Sequence, residues 1–196
     1  TVMIESGSCC TLLAEELCAR DCHITIITNS AFIASFVRKM RSARIILLGG
    51  SYQNEAQVMV GPLVGLCARN FKVDKFFLGI DGMDERGVKS SDHLRIEAAQ
   101  AMAAQARGII VLTESVKFHR DASELIFPYE NIRAIYTDAD VADSDIERCQ
   151  ALGPEIVTAA KRRFEWHKKR PAGSKAPGRS FFYLIAPRLI SHFLGK

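Results

Sequence analysis

Residues 73–97 hold the densest chemistry in the chain: VDKFFLGIDGMDERGVKSSDHLRIE. Residues 75–80 read as a hydrophobic strand. The strand breaks into a turn crowded with carboxylates: Asp81, Gly82, Met83, Asp84 and Glu85. A polar stretch, Lys89-Ser90-Ser91-Asp92, follows, and then an Ala-rich helix that carries Glu97. In an open parallel sheet, ligands sit past the carboxyl ends of the strands. Carboxylates there accept hydrogen bonds from hydroxyl groups. Asp81, Asp84, Asp92 and Glu97 are therefore the candidate contacts of a polyol. A solvated acidic turn explains the same residues when the turn is taken alone.

Other strand ends are decorated in a matching way. Ser6-Gly7-Ser8 joins a short strand to a helix that starts near Cys9. Free N–H groups and the helix dipole converge at such a junction and favour an anion. An ordinary capped turn would look the same. Thr28-Asn29-Ser30 and Gly49-Gly50 end the next two strands. Lys117 lies just past a later one, beside Thr113 and Ser115, where it can hold a phosphate as a point charge. Taken together, the ends outline one pocket. Ser6, Gly7, Ser8, Cys9 and Lys117 form its phosphate end. Thr28, Asn29, Ser30, Gly49 and Gly50 form a wall, and the four acids form its hydroxyl end. No residue is assigned a catalytic role.

The elements that must carry these residues alternate. Strand-like runs cover 2–5, 24–28, 44–48, 75–80, 108–112, 132–137 and 155–158. Helical periodicity covers 9–19, 31–40, 62–71 and 92–106. Ser144-Asp145-Ile146-Glu147 reads as a capping box that opens a further helix, and Gly153-Pro154 stops it. Residues 51–60 read as an irregular polar loop. Strands alternating with helices predict an α/β fold with an open parallel, Rossmann-like sheet.

Composition fits one globular domain. Of 196 residues, 48% are apolar and 24% charged. No apolar run approaches the ~20 residues of a membrane span. Residues 1–10 read as the middle of a strand pattern, without a secretion leader, so further sequence is expected before Thr1. Six cysteines without a CxxC pair or a His cluster argue against zinc and for reduced thiols of a cytoplasmic protein. The net charge of +4 is uneven. Residues 161–196 hold ten bases and one acid, a net +9, and residues 1–160 hold 16 bases and 21 acids, a net −5. The body has no electrostatic bias toward nucleic acid. Residues 161–196 are basic and rich in Pro and Gly, and read as a flexible or non-native tail.

At Glu5-Ser6-Gly7-Ser8-Cys9, Thr28-Asn29-Ser30, Leu47-Leu48-Gly49-Gly50 and Asp74-Lys75-Phe76-Phe77-Leu78-Gly79 the chain resembles the C-terminal effector-sensing domain of DeoR-type bacterial transcription regulators. Gly87, Asp92, Glu97-Ala98 and Glu114-Ser115-Val116-Lys117-Phe118 continue the match, which extends to about residue 158. Three positions depart from it: Cys9 stands for a hydroxyl, and Glu5 and Glu114 each stand for an Asp. The resemblance implies a fold similar to ribose-5-phosphate isomerase, glucosamine-6-phosphate deaminase and CoA transferases. It implies an effector-binding domain over 1–160, a phosphorylated sugar or related metabolite as ligand, and a homo-oligomer. It also implies contact with operator DNA only through a winged helix-turn-helix domain before Thr1. No cofactor, metal or membrane partner is implied. The alternative is an aldose–ketose isomerase. Asp81-Gly82-Met83-Asp84-Glu85 is similar to the Asp-Gly-Ala-Asp-Glu motif of ribose-5-phosphate isomerase, and Glu97 would be the base, with Lys89 nearby. The glycine run that follows the lysine in that enzyme is replaced here by Ser90-Ser91-Asp92-His93.

Overall fold

The computed structural model describes residues 1–19, 23–38 and 43–159. The expected tail over 161–196, and the end of the second helix near Met40, lie outside the described residues. In chain order the strands are β1 (Val2–Ile4), β2 (Ile24–Thr28), β3 (Ala43–Leu47), β4 (Ser51–Gln53), β5 (Val58–Val60), β6 (Val73–Gly79), β7 (Gly82–Met83), β8 (Gly87–Ser90), β9 (Ala106–Leu112), β10 (Glu124–Pro128), β11 (Ile132–Thr137) and β12 (Glu155–Thr158). The helices are α1 (Ser8–Ala19), α2 (Ala31–Val37), α3 (Pro62–Ala68), α4 (His93–Ala103) and α5 (Asp143–Ala151).

Seven strands form one sheet in the order β12-β11-β9-β6-β1-β2-β3. All its pairings are parallel. The chain starts at the interior strand β1, walks out to β3, then crosses back to the central β6 on the other side of β1 and walks to β12. The direction reverses between β1 and β6, and such a switch point opens a crevice at the carboxyl ends of the strands.

Period-two alternation sends successive side chains to opposite faces. Met3, Phe76, Leu78, Val111 and Ile135 pack with Val64 of α3, with Ile96 and Met102 of α4, and with Cys149 of α5. Ile4, Ile26, Phe77, Ile110 and Tyr136 pack with Leu13 and Leu17 of α1 and with Ile33 and Val37 of α2. Phe76 and Phe77 are both fully buried, one on each face. Burying a side chain of that size contributes about 1.5–3 kcal/mol.

Two small antiparallel units correct the expectation of plain loops. β4 and β5 form a hairpin inside the expected loop 51–60. Asn29 secures it: its N-δ2 group donates to the Met59 carbonyl at 3.0 Å, and its own carbonyl accepts from Met59 N–H at 2.7 Å. The second unit, in the order β10-β8-β7, is built over the stretch 81–92. Its turn needs glycine, because a Cβ on Gly82 would lie 1.9 Å from the Arg120 carbonyl oxygen.

Two helix ends also differ. α4 stops at Ala103, because Ala106 already pairs with Val73 as the first residue of β9. α5 starts at Asp143, with Ala142 in the cap position and no side-chain cap. The expected capping box fails because Ser144 already lies inside the helix, where Asp145 N–H and Ile146 N–H bond the Ala142 carbonyl at 3.0 and 3.2 Å.

Candidate functional site

A cleft of about 190 Å³ opens at the switch point. It is lined by Ser6, Gly7, Ser8 and Cys9, by Gly79, Ile80 and Asp81, by Arg95, and by Leu112, Thr113, Glu114 and Lys117. These residues come from the ends of β1, β6 and β9 and the first turns of α1 and α4. A larger hollow of about 550 Å³ lies at the amino ends of β6 and β9. Its Arg107 is already paired with Asp74 at 3.3 Å.

The β1–α1 corner is made of backbone. Gly7 has φ +120°, a conformation that favours glycine. Thr11 N–H bonds the Gly7 carbonyl at 2.9 Å, so the helix begins at once. The N–H groups of its first turn have no intrahelical acceptor, and Ser8 and Cys9 of that turn line the cleft. Gly79 lets the two strand ends converge: a Cβ there would sit 3.0 Å from the Ser6 carbonyl oxygen. Burial, with the Glu114 charge, pushes the Cys9 thiol up to about 12, so it remains an uncharged, weak donor.

The opposite side is made of paired side chains. Asp81 Oδ2 accepts from Ser90 Oγ at 2.6 Å and from Ser91 N–H at 3.2 Å. Burial raises its pKa, but those hydrogen bonds and the charges of Arg95 and Lys117 outweigh it, and the net direction is down. Arg95 reaches across from α4. Its Nη2 donates to Ser6 Oγ at 3.1 Å and lies 3.3 Å from Glu5 Oε1. Ser6 Oγ in turn donates to Glu5 Oε1 at 2.5 Å. Glu5 is 2% exposed. Burial raises its pKa in spite of Arg95 beside it.

Sequence reasoning named Ser6, Gly7, Ser8, Cys9, Asp81 and Lys117, and the structure brings all six into the cleft. The other expected residues lie outside it. Thr28, Asn29 and Ser30 are fully buried at the end of β2. Thr28 Oγ1 accepts from Ser30 N–H, and Ser30 Oγ accepts from Ile33 N–H, capping α2. Gly50 serves the hairpin, since a Cβ there would lie 2.7 Å from the Val60 oxygen, and Gly49 faces Cys67. Asp84 is engaged with Lys89 at 3.1 Å and with Arg86. Lys89 is also bound to Asp121 at 2.5 Å. Asp92 caps α4 through Arg95 N–H and accepts from Gln53 Nε2 at 2.6 Å. Glu97 is exposed and pairs with His93 at 3.3 Å.

Sequence reasoning did not assign Gly79, Ile80, Arg95, Leu112, Thr113 or Glu114 to the cleft, and of these Arg95 is the cation. Its position in the first turn of α4, three residues after the Asp92 cap, was the one available signal. Among the described residues no group of three or more His, Cys, Asp or Glu can hold a metal ion, and no helix is long and apolar enough to cross a membrane.

The family model described as the DeoR C terminal sensor domain matches residues 1–139. The chain is 26% identical over 157 residues to the protein of Escherichia coli O157:H7 assigned as the aga operon transcriptional repressor, covering 80% of this chain and 58% of that one. It is 26% identical over 140 residues to the glycerol-3-phosphate regulon repressor of Escherichia coli K12, covering 71% and 55%. It is 28% identical over 116 residues to the transcriptional repressor GlcR of Bacillus subtilis, covering 59% and 44%. The chain thus spans roughly half the length of these relatives. Among solved structures it is similar to eIF2B beta from Chaetomium thermophilum, with a TM-score of 0.41 and 15% identity over 68% of this chain and 42% of that one. The chain belongs to the DeoR family of transcriptional regulators, and its residues 1–139 are the C-terminal sensor domain of that family.

Proposed function

We propose that residues 1–160 sense a phosphorylated sugar or related metabolite, and that binding changes how a DNA-binding domain elsewhere in the full-length protein engages its operator. The observation that carries this reading is the cleft itself. It brings a helix N-terminus, Lys117 and Asp81 into one cleft. The first pair suits a dianion, and the carboxylate suits hydroxyl donors. The phosphate rests on Ser6, Gly7, Ser8 and Cys9, with Lys117, while the sugar hydroxyls meet Asp81. A relative named as the repressor of a glycerol-3-phosphate regulon is in keeping with that ligand class. The protein acts in the cytoplasm as a homo-oligomer, since operator recognition of this kind uses paired half-sites.

Isomerase chemistry is the weaker reading. Glu97, the candidate base, is turned to His93 away from the cleft, and Lys89 is neutralised by Asp84 and Asp121. Regulators, rather than enzymes, are the matched relatives.

The test is a thermal-shift screen with phosphorylated sugars and their unphosphorylated parents. A ligand at 100 times its Kd adds about 2.7 kcal/mol to stability. A shift with a phosphorylated compound and none with its parent is expected. Equal shifts with both would remove the phosphate assignment. In the same protein, any retention on operator DNA should come from residues 161–196, at net +9, and vanish in moderate salt, because the body carries −5. Salt-resistant, sequence-specific binding by residues 1–160 would contradict the division of labour.

A further inference from the structure

Two cations line the cleft beside the Ser6-Gly7-Ser8 corner. Lys117 comes from the turn after β9, near Cys9 and Glu114. Arg95 comes from the first turn of α4 and touches Ser6. Lys117 has no ion-pair partner among the described residues. Arg95 has one, but the pairing is incomplete. Arginine and a carboxylate commonly pair through two parallel hydrogen bonds. Here Nη2 alone serves both Glu5 and Ser6. Arg95 Nε and Glu5 Oε2 are both buried without a hydrogen-bond partner. Glu5 therefore anchors the guanidinium without using its donors up. An arginine present only to neutralise Glu5 would be expected to close the fork.

We propose that Arg95 is the second phosphate-binding cation of this cleft, with Glu5 as its positioning residue, so that the phosphate is clamped between Arg95 and Lys117 over Ser6-Gly7-Ser8. This rests on the sugar-phosphate reading and narrows it. A planar guanidinium with unspent N–H groups matches phosphate oxygens better than it matches a neutral hydroxyl. Two cations and a helix N-terminus select a terminal phosphate monoester, which carries between one and a half and two negative charges near neutral pH. A sugar acid, with one charge, would satisfy half of the clamp. Glu5 does not repel the ligand, because it is buried beneath Arg95 and shares its charge with it.

The experiment compares wild type, Arg95→Lys, the double variant Glu5→Gln/Arg95→Gln and Lys117→Ala. Calorimetric titrations use ribose 5-phosphate, glucose 6-phosphate, fructose 6-phosphate, their parent sugars, inorganic phosphate and gluconate. The double variant keeps side chains of similar length and removes both charges. It is expected to lose about ten- to a hundredfold in affinity for the best phosphorylated ligand and for inorganic phosphate. Its affinity for the parent sugar should change little, which a general loss of structure would not give. Arg95→Lys should recover part of the loss, and it decides the question alone if the double variant does not fold. Gluconate should bind more weakly than every phosphate that binds. Unchanged phosphate affinity in both Arg95 variants, with the loss confined to Lys117→Ala, would overturn the role of Arg95 and leave the sugar-phosphate reading standing. Wild type that binds neither inorganic phosphate nor any sugar phosphate above its parent would overturn both.

Discussion

The two sides of the cleft are made of different materials. The β1–α1 side offers backbone: Gly7 with its positive φ, the N–H groups that open α1, and Gly79 keeping the strand ends close. The α4 side offers side chains that hold one another: Arg95 to Glu5, Asp92 to Gln53, Asp81 to Ser90. A backbone donor survives most substitutions nearby. A buried charge does not survive the loss of its partner. The α4 side should therefore be the fragile one, although it contributes fewer residues to the cleft.

The largest expected effect follows directly. Arg95→Ala leaves Glu5 buried and uncompensated, at a cost of about 3–5 kcal/mol. A urea titration should show the midpoint fall sharply, and Glu5→Gln/Arg95→Gln should fall less than Arg95→Ala. A loss under about 1 kcal/mol in Arg95→Ala would mean that Glu5 is neutral or rehydrated, and the contrast between the two sides would collapse.

Gly82→Ala comes next, and tests whether the small sheet under the α4 side is rigid. A Cβ 1.9 Å from the Arg120 carbonyl forces β7 away from that segment. Overpacking of this kind costs about 1–3 kcal/mol. Gly7→Ala on the other side meets only Gly79 at 3.8 Å, but must hold φ +120°. It should cost less, because its backbone strain brings no clash with a neighbour, whereas Gly82→Ala must displace a backbone carbonyl. Equal losses in the two variants would erase the difference between the sides.

Asp92→Ala should be milder than either glycine change on the α4 side. It removes the α4 cap, worth about 1 kcal/mol, and the Gln53 hydrogen bond. Amide exchange in the β4–β5 hairpin should speed up with it, because Gln53 ties β4 to the Asp92 cap. Unaltered exchange would mean that Asn29 and the packing of β5 hold the hairpin without Gln53.

The same contrast explains what the sequence revealed. The seven-stranded sheet was legible because burial on both faces leaves long apolar runs, as in the Phe76-Phe77-Leu78 segment. The β1–α1 corner was legible because its chemistry is local: strand, Ser-Gly-Ser, helix. The α4 side depends on partners far apart in the chain. Arg95 is 90 residues from Glu5, and Lys89 is 32 from Asp121, so no local pattern marks either pair. β4, β5 and β7, with three, three and two residues, are too short to show alternation. β8 reads as polar, GVKS, yet is buried throughout, because Asp84 and Asp121 neutralise its lysine. The wall expected from Thr28, Asn29, Ser30, Gly49 and Gly50 is also explained. Small polar residues at a strand end serve a hairpin as well as they serve a ligand.

The smallest effect concerns pH, and it places two acids near the cleft in opposition. The Glu5 pKa is raised by burial above its ordinary value of 4.5, against the pull of Arg95. A raised folded-state pKa means that the folded protein binds the proton more tightly. Its contribution to stability is fully present below 4.5 and is lost as pH rises through the folded value. Asp81 behaves the other way. Burial raises it, but Ser90, Ser91 and the nearby cations lower it below its ordinary 3.8. Its contribution is present above 3.8 and is lost as pH falls through the folded value. Asp81 is partly open to solvent, so salt should screen its share. Urea midpoints measured across acid and neutral pH for wild type, Glu5→Gln and Asp81→Asn separate the two. Relative to wild type, Glu5→Gln should gain stability as pH rises above 4.5, and Asp81→Asn should gain it as pH falls below 3.8. If Glu5→Gln instead loses ground steadily as pH rises, Arg95 has outweighed the desolvation, and the pairing of Arg95 with Glu5 adds to stability at neutral pH instead of offsetting part of a burial cost.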